Sequence, residues 1–513
     1  MDGRAAEARP GDAPRADPRV LAGQLFMVDF SGTEPSSEVE RLLVQGGAGG
    51  VVLFDKNIQD PAQVARLANA LQRLAVDAGM PSLLLAADQE GGPVVRLRPT
   101  HFPSAMAFGA AGSERLVAEA ARVTARELRA VGVHLNFAPV LDVNSNPQNP
   151  AIGLRSYGED PALVARLGVQ AVTAMQAGGV LACAKHFPGH GDTSLDSHLA
   201  LPIVAHPRAR LDAVELFPFR AAIRARVAAV LTAHVVYPAF DPDRPATLSP
   251  AVIGALRGEL GFGGLVVSDS MQMRAIADHH RPGEAAVEAV RAGVDLVLAL
   301  GPAEVQWEAL DAVRSAVESG RIPEARLREA AGRVLAVKRR LGLLGDALVR
   351  EEDVARCVGL PEHLALADRV AAAAATTVRG RPGAIPLPPG LVSVATDLAS
   401  RETADRLVEA LGAAGRPCAT VEVEAAGAGT IVVPIGASPG DPPSRARIHE
   451  VTRRASRSGP AVAVSVDVPY PLASVARDCA CLAVYGADPS ALKAAASVLA
   501  GSLRPEGRLP VTL

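Results

Sequence analysis

Between residues 20 and 300 short apolar runs alternate with longer stretches whose apolar positions recur at helical spacing. The runs "QLFMVDF" (24–30), "GVVLF" (50–54), "LLLAA" (83–87), "LNFAPV" (135–140), "VLACA" (180–184), "AVLTAH" (229–234), "GLVVS" (264–268) and "DLVLAL" (295–300) carry almost no polar alternation, the pattern of strands buried on both faces. Amphipathic segments such as "PAQVARLANALQRLAVDAG", "SERLVAEAARVTARELRAVG" and "PALVARLGVQAVTAMQAGG" lie between them. Several close on glycine, as helices do when the next residue turns left-handed. This alternation predicts an α/β chain whose first part, 20–345, is a (β/α)8 barrel; an open doubly wound sheet is the alternative. A helix is predicted over 324–344. Residues 346–390 then read as a helical connection ending in the Pro/Gly-rich linker "RGRPGAIPLPPG" (379–390).

The rhythm restarts after the linker. "LVSVAT" (391–396), "CATVEV" (418–423), "TIVVPIG" (430–436), "AVAVSV" (461–466) and "CLAVYG" (481–486) are strand candidates separated by helical segments. They predict a smaller C-terminal α/β sandwich domain over 391–513. That part holds no GxGxxG and no P-loop, so nothing in it points to a nucleotide.

Composition narrows the class. The 513 residues are too many for one ordinary core, in keeping with two domains. With 52 basic and 55 acidic residues the net charge is -3, which offers no electrostatic case for nucleic acid or a membrane surface as partner. Five cysteines, one of them necessarily unpaired, do not make a disulfide framework, and a reducing, cytoplasmic compartment fits them best. Residues 1–19 are charged and proline-rich with no apolar stretch, and read as a disordered leader rather than a signal peptide. No run approaches the ~18 apolar residues of a membrane span.

A barrel carries its chemistry where strands end. After "LLLAA" come Asp88, Gln89, Glu90, Gly91 and Gly92; after "LNFAPV", Asp142 and Asn144; "AVLTAH" ends in His234; Asp269 follows "GLVVS". After "VLACA" comes "KHFPGHGDTSLDSHLALP" (185–202), which holds three histidines and two aspartates. Ionisable groups from five strands converging on one mouth indicate an enzyme, set against the plainer reading that such turns are polar anyway. A metal site in the 185–202 loop is disfavoured: Pro188 and Gly189 prevent the two histidines of "HFPGH" from sharing a helix face, and no cysteine pair assists. No cofactor is implied. The acid/base reading is stronger. Asp196 stands two residues before His198, so in an extended segment both face one side, and the carboxylate fixes the tautomer of a proton-donating imidazole. Lys185 and His186 come off the strand end as donors to substrate hydroxyls. Gly189 and Gly191 are expected to make the loop mobile. Asp269 is either a helix N-cap or a carboxylate placed to attack an anomeric carbon. His190, Asp192 and His234 receive no role.

"KHFPGHGDTSLDSH", "DQEGG", "IGLRSYGED" and "GLVVSDSMQM" together resemble the family 3 glycoside hydrolases, within them the β-N-acetylhexosaminidase branch that removes N-acetylglucosamine from cell-wall fragments. The resemblance covers about residues 20 to 345, and "GSLRPEGRLPVTL" is similar to the close of the second domain that some members carry. It implies a retaining exo-β-N-acetylglucosaminidase acting on a small glycoside or muropeptide, with Asp269 as nucleophile and His198 as general acid/base partnered by Asp196. Asp88, Arg96, Arg155, Lys185 and His186 are implied to bind the sugar. Pro93 departs from the commoner "DQEGGRV" and removes a basic side chain near the mouth. Alternatives within the resemblance are a β-N-acetylglucosaminide phosphorylase and a β-glucosidase. A phosphorylase is suggested because a histidine that gives up its proton leaves no negative charge facing an incoming phosphate.

Overall fold

The computed structural model describes residues 17–381, 383–436 and 443–513. The leader expected over 1–19 lies outside the described residues as far as 16. Beyond that, Pro18–Gly23 is already a helix, capped by the Asp17 carboxylate.

Eight parallel strands close into a barrel in chain order: β1 Phe26–Val28, β2 Gly50–Val52, β3 Leu84–Ala87, β4 Leu135–Asn136, β5 Leu181–Phe187, β6 Ala229–Thr232, β7 Leu265–Ser270 and β8 Leu296–Leu298. Closure comes from Phe26 pairing with Val297 across β1 and β8. Alternate residues of each strand point inward, and Met27, Val52, Leu84, Ala86, Leu135, Leu181, Cys183, Leu231, Val267 and Leu298 fill the barrel axis. The other set packs outward against the helices in one continuous core. Apart from polar residues towards their C-terminal ends, both faces of the strands are thus apolar, which is why the runs show almost no polar alternation. The helices start where the sequence places a cap: Asp60, Ser113 and Asp160 each accept a backbone N–H at the head of a 17-residue helix.

The second domain begins earlier than its composition suggests. Its sheet has six strands rather than five: β9 Thr376–Arg379, β10 Val392–Ala395, β11 Ala419–Val421, β12 Thr430–Ile435, β13 Ala461–Ser465 and β14 Ala480–Ala483, in the order β9-β14-β13-β12-β10-β11. Strand β9 falls within residues 346–390, which the sequence reads as a connection. It lies at the sheet edge and pairs antiparallel with β14, where a half-exposed strand is stable. One face of the sheet packs on its own helices, including Pro489–Ala500. The other face shares a core with the barrel helix Ala105–Ala111, through Met106, Ala107 and Ala110. The two domains are therefore joined by a common apolar layer.

Candidate active site

Seven of the expected site residues, Asp88, Arg96, Arg155, Lys185, His186, His198 and Asp269, line one cavity of about 750 Å³ at the C-terminal mouth of the barrel. Asp196 reaches it only through His198. Lys185 and His186 lie inside β5 rather than beyond it, where pairing with β6 shifts register between Ala184 and Phe187. Such an irregularity re-aims side chains, and here both turn into the mouth.

Lys185 is the buried centre of a charged cluster. Its Nζ donates to Asp88 Oδ1 at 2.7 Å and lies 2.6 Å from Glu90 Oε1. Arg155 clamps Glu90 with two bonds, Nε to Oε2 at 2.9 Å and Nη2 to Oε1 at 2.8 Å. Burial opposes ionisation of Glu90, but Arg155 and Lys185 outweigh it and hold the carboxyl far below its ordinary value. Sequence reasoning noted Glu90 but gave it no role. The signal was present: two acids and two bases in separate loops predict a compensated cluster, since neither sign can be buried alone.

His186 is oriented by a residue the sequence left unassigned. Its Nδ1 donates to Asp142 Oδ2 at 2.7 Å, which points Nε2 the other way, 3.4 Å from Arg155 Nη2. Asp142 also accepts the backbone N–H of His186 and of His190, at 3.1 and 2.6 Å. Arg96 reaches Asp55 at 3.3 Å, lies over the Phe54 ring and stands 4.0 Å from Asp88. Asp29, Phe54, Asp55, Lys56, Gln272 and Met273 also line the cavity, and nothing in their local patterns marked them.

Asp269 sits near the end of β7 with Oδ1 accepting the Ser270 N–H at 2.7 Å. Burial would raise its carboxyl, yet His234, His186, the Ser270 N–H and Lys185 together hold it below the ordinary value. Burial also lowers His234 itself. Through Nε2, His234 donates to the Ser270 carbonyl at 2.9 Å, fixing the chain just past Asp269.

The 185–202 loop differs from expectation in two ways. Asp196 and His198 are not in an extended segment. Asp196 opens a turn in which its Oδ1 accepts the His198 N–H at 2.9 Å and the His198 Nδ1–H at 2.7 Å, and its carbonyl accepts from Leu199 and Ala200. The pairing survives because a short acidic side chain caps its own turn. Nor do the glycines serve mobility. A Cβ on Gly191 would stand 1.8 Å from the Val143 carbonyl oxygen, and one on Gly189 would stand 2.7 Å from Glu215 Cβ; both permit close approach. Between them His190 is buried against the hydroxyls of Thr193 and Ser197, its imidazole lowered to about 4, chiefly by burial. Asp192 accepts from Ser145 at 2.9 Å and His206 at 2.5 Å. Tyr237 donates to the Gly189 carbonyl. The loop is an anchored arm, and His198 stands at its exposed end with 62% of its side chain accessible. Among the described residues no three His, Cys, Asp or Glu side chains are gathered as metal ligands.

One open mouth thus brings together an ionised buried carboxylate, a carboxylate-held imidazole and a compensated polar cluster. The chain belongs to glycosyl hydrolase family 3: the family's N-terminal domain matches residues 19–337. Beta-hexosaminidase A of Pseudoalteromonas piscicida is 34% identical over 426 residues, 74% of this chain and 70% of that protein. A beta-hexosaminidase of Alkalilimnicola ehrlichii is 40% identical over 288 residues, 54% of this chain and 81% of that one. Among solved structures, a glycoside hydrolase family 3 beta-N-acetylglucosaminidase from Paenibacillus sp. superposes with a TM-score of 0.87 at 39% identity, covering 96% of this chain and 98% of that chain.

Proposed function

We propose that this protein is a retaining exo-β-N-acetylglucosaminidase. The observation that carries the reading is a single cavity lined by both Asp269, a carboxylate held ionised, and His198, an imidazole held by a second carboxylate. Retention requires an ionised nucleophile and a proton donor on the same bond. Asp269 attacks the anomeric carbon while His198 gives its Nε2 proton to the departing oxygen. Nδ1 is committed to Asp196, so Nε2 is the nitrogen left to exchange it. In the second step water loses a proton to His198 and displaces Asp269. Asp88, Lys185, His186, Arg155 and Arg96 bind the sugar hydroxyls.

The similar hexosaminidases support N-acetylglucosamine over glucose as the sugar removed. Peptidoglycan fragments as the natural source rest on the sequence motifs. No helix among the described residues is long and apolar enough to cross a membrane. The test is a matched pair, an aryl N-acetylglucosaminide and the corresponding aryl glucoside, assayed with and without phosphate. The reading predicts strong preference for the acetamido sugar and release of free sugar. Equal rates would move it to a broad β-glucosidase, and a phosphate-dependent sugar 1-phosphate to a phosphorylase.

A further inference from the structure

The side chain of Arg155 faces the catalytic cavity, but the turn that carries it is held from the second domain. The turn Gly153–Arg155 is a single 3-10 loop. Its three residues face different surroundings. Arg155 clamps Glu90 in the barrel mouth. Leu154 packs into the apolar layer of the second domain. Gly153 lies so close to Val468 that an added Cβ would stand 3.2 Å from Val468 Cγ1, and its φ of +44° already favours glycine.

A hydrogen-bonded relay joins the same two bodies. Asn144, buried in the loop after β4, accepts the Gly153 N–H through Oδ1 at 3.2 Å. Its Nδ2 donates to the hydroxyl of Tyr470 at 2.7 Å. Tyr470 opens the short helix Tyr470–Ser474 of the second domain. Further along, Glu159 N–H donates to the Pro510 carbonyl at 3.1 Å. The segment 144–159 is therefore fastened to the second domain at both ends, with Arg155 between them.

We propose that Tyr470 is a positioning residue for the sugar site, acting through Asn144 and the Gly153 turn on Arg155. The second domain then sets how firmly the barrel holds its substrate, without reaching the cavity itself. The inference rests on the reading of Arg155 as a sugar-binding group.

The test is a cycle of Tyr470→Phe, Arg155→Lys and the double variant, on the full chain. KM and kcat are read for an aryl N-acetylglucosaminide, together with the inhibition constant of free N-acetylglucosamine. Tyr470→Phe keeps the ring and removes only the hydroxyl. It is expected to raise KM and the inhibition constant by about tenfold, the effect of Arg155 losing roughly one charge-assisted hydrogen bond to the sugar, with kcat changed far less. In the Arg155→Lys background the same substitution is expected to add almost nothing, because coupled sites are not additive. A change within twofold for folded Tyr470→Phe, or full additivity, overturns the inference and leaves the glycosidase reading intact. If Arg155→Lys alone alters neither constant, the sugar-binding role of Arg155 fails and the inference falls with it. Val468→Ala, which loosens the same turn by packing alone, serves where Tyr470→Phe does not fold; unchanged constants there count against the proposal.

Discussion

At Asp269 two opposing effects meet. Burial favours the neutral acid, while His234, His186, the Ser270 N–H and the charge of Lys185 favour the anion, and the anion wins. A nucleophile must be ionised at the working pH, so the balance suits the task. His198 answers a different need. It is largely exposed, and Asp196 holds its Nδ1, which leaves Nε2 open to exchange a proton with solvent between the proposed steps. His198→Ala should therefore cost little on aryl glycosides with good leaving groups, and about 100-fold or more on alkyl or disaccharide substrates that need the proton. Comparing kcat/KM across a leaving-group series checks this. Equal losses throughout would remove His198 from the role of acid.

At the scale of elements, the arm between β5 and His198 is held by packing. His190 and Asp192, which had no role in the sequence, hold it through Thr193, Ser197, Ser145 and His206. Gly191→Ala should force the arm away from Val143, destabilising the fold by about 2 kcal/mol or more and lowering activity through His198. Chemical denaturation beside turnover measures both, and an unchanged midpoint would mean the arm is looser than its packing. Strands were legible because burial on both faces leaves an unbroken apolar run. Loop geometry was not. Spacing indicated that Asp196 and His198 pair, but the turn that pairs them depends on which backbone N–H the carboxylate accepts. Glycine in "HFPGHG" suggested mobility, and only the position of Val143 and Glu215 reveals close contact instead. Asp142 and Glu90 were visible as strand-end acids, yet their partners lie on other strands, out of reach of any local pattern. Strand β9 was missed because the strand it pairs with, β14, lies far along the chain.

Across the whole molecule, the barrel has a polar mouth and a base closed over one buried cation. Lys338, fully buried, has one acceptor, Gln24 Oε1 at 2.6 Å, and burial lowers its ammonium from 10.5 to about 7. An unfolded lysine keeps its proton up to about pH 10.5, whereas this one releases it near 7. Between those values the unfolded chain binds the extra proton, so this residue makes stability rise with pH across that window. Below pH 7 the cost of burying the charge is felt in full. Lys338→Met should flatten the slope of unfolding free energy between pH 7 and 10, as measured by denaturation at several pH values; an unaltered slope would show that the ammonium finds water. The two domains share an apolar layer through the helix Ala105–Ala111, while the cavity proposed as the sugar site is lined by barrel residues. The central claim is that this site works through a glycosyl-enzyme on Asp269. Its most direct test is inactivation with a fluorinated N-acetylglucosaminyl fluoride that forms such an intermediate but releases it slowly, followed by peptide mass mapping. The account predicts one added sugar, carried on Asp269 and absent from Asp269→Ala. An adduct on another residue, or none in an enzyme that still turns over substrate, would contradict it.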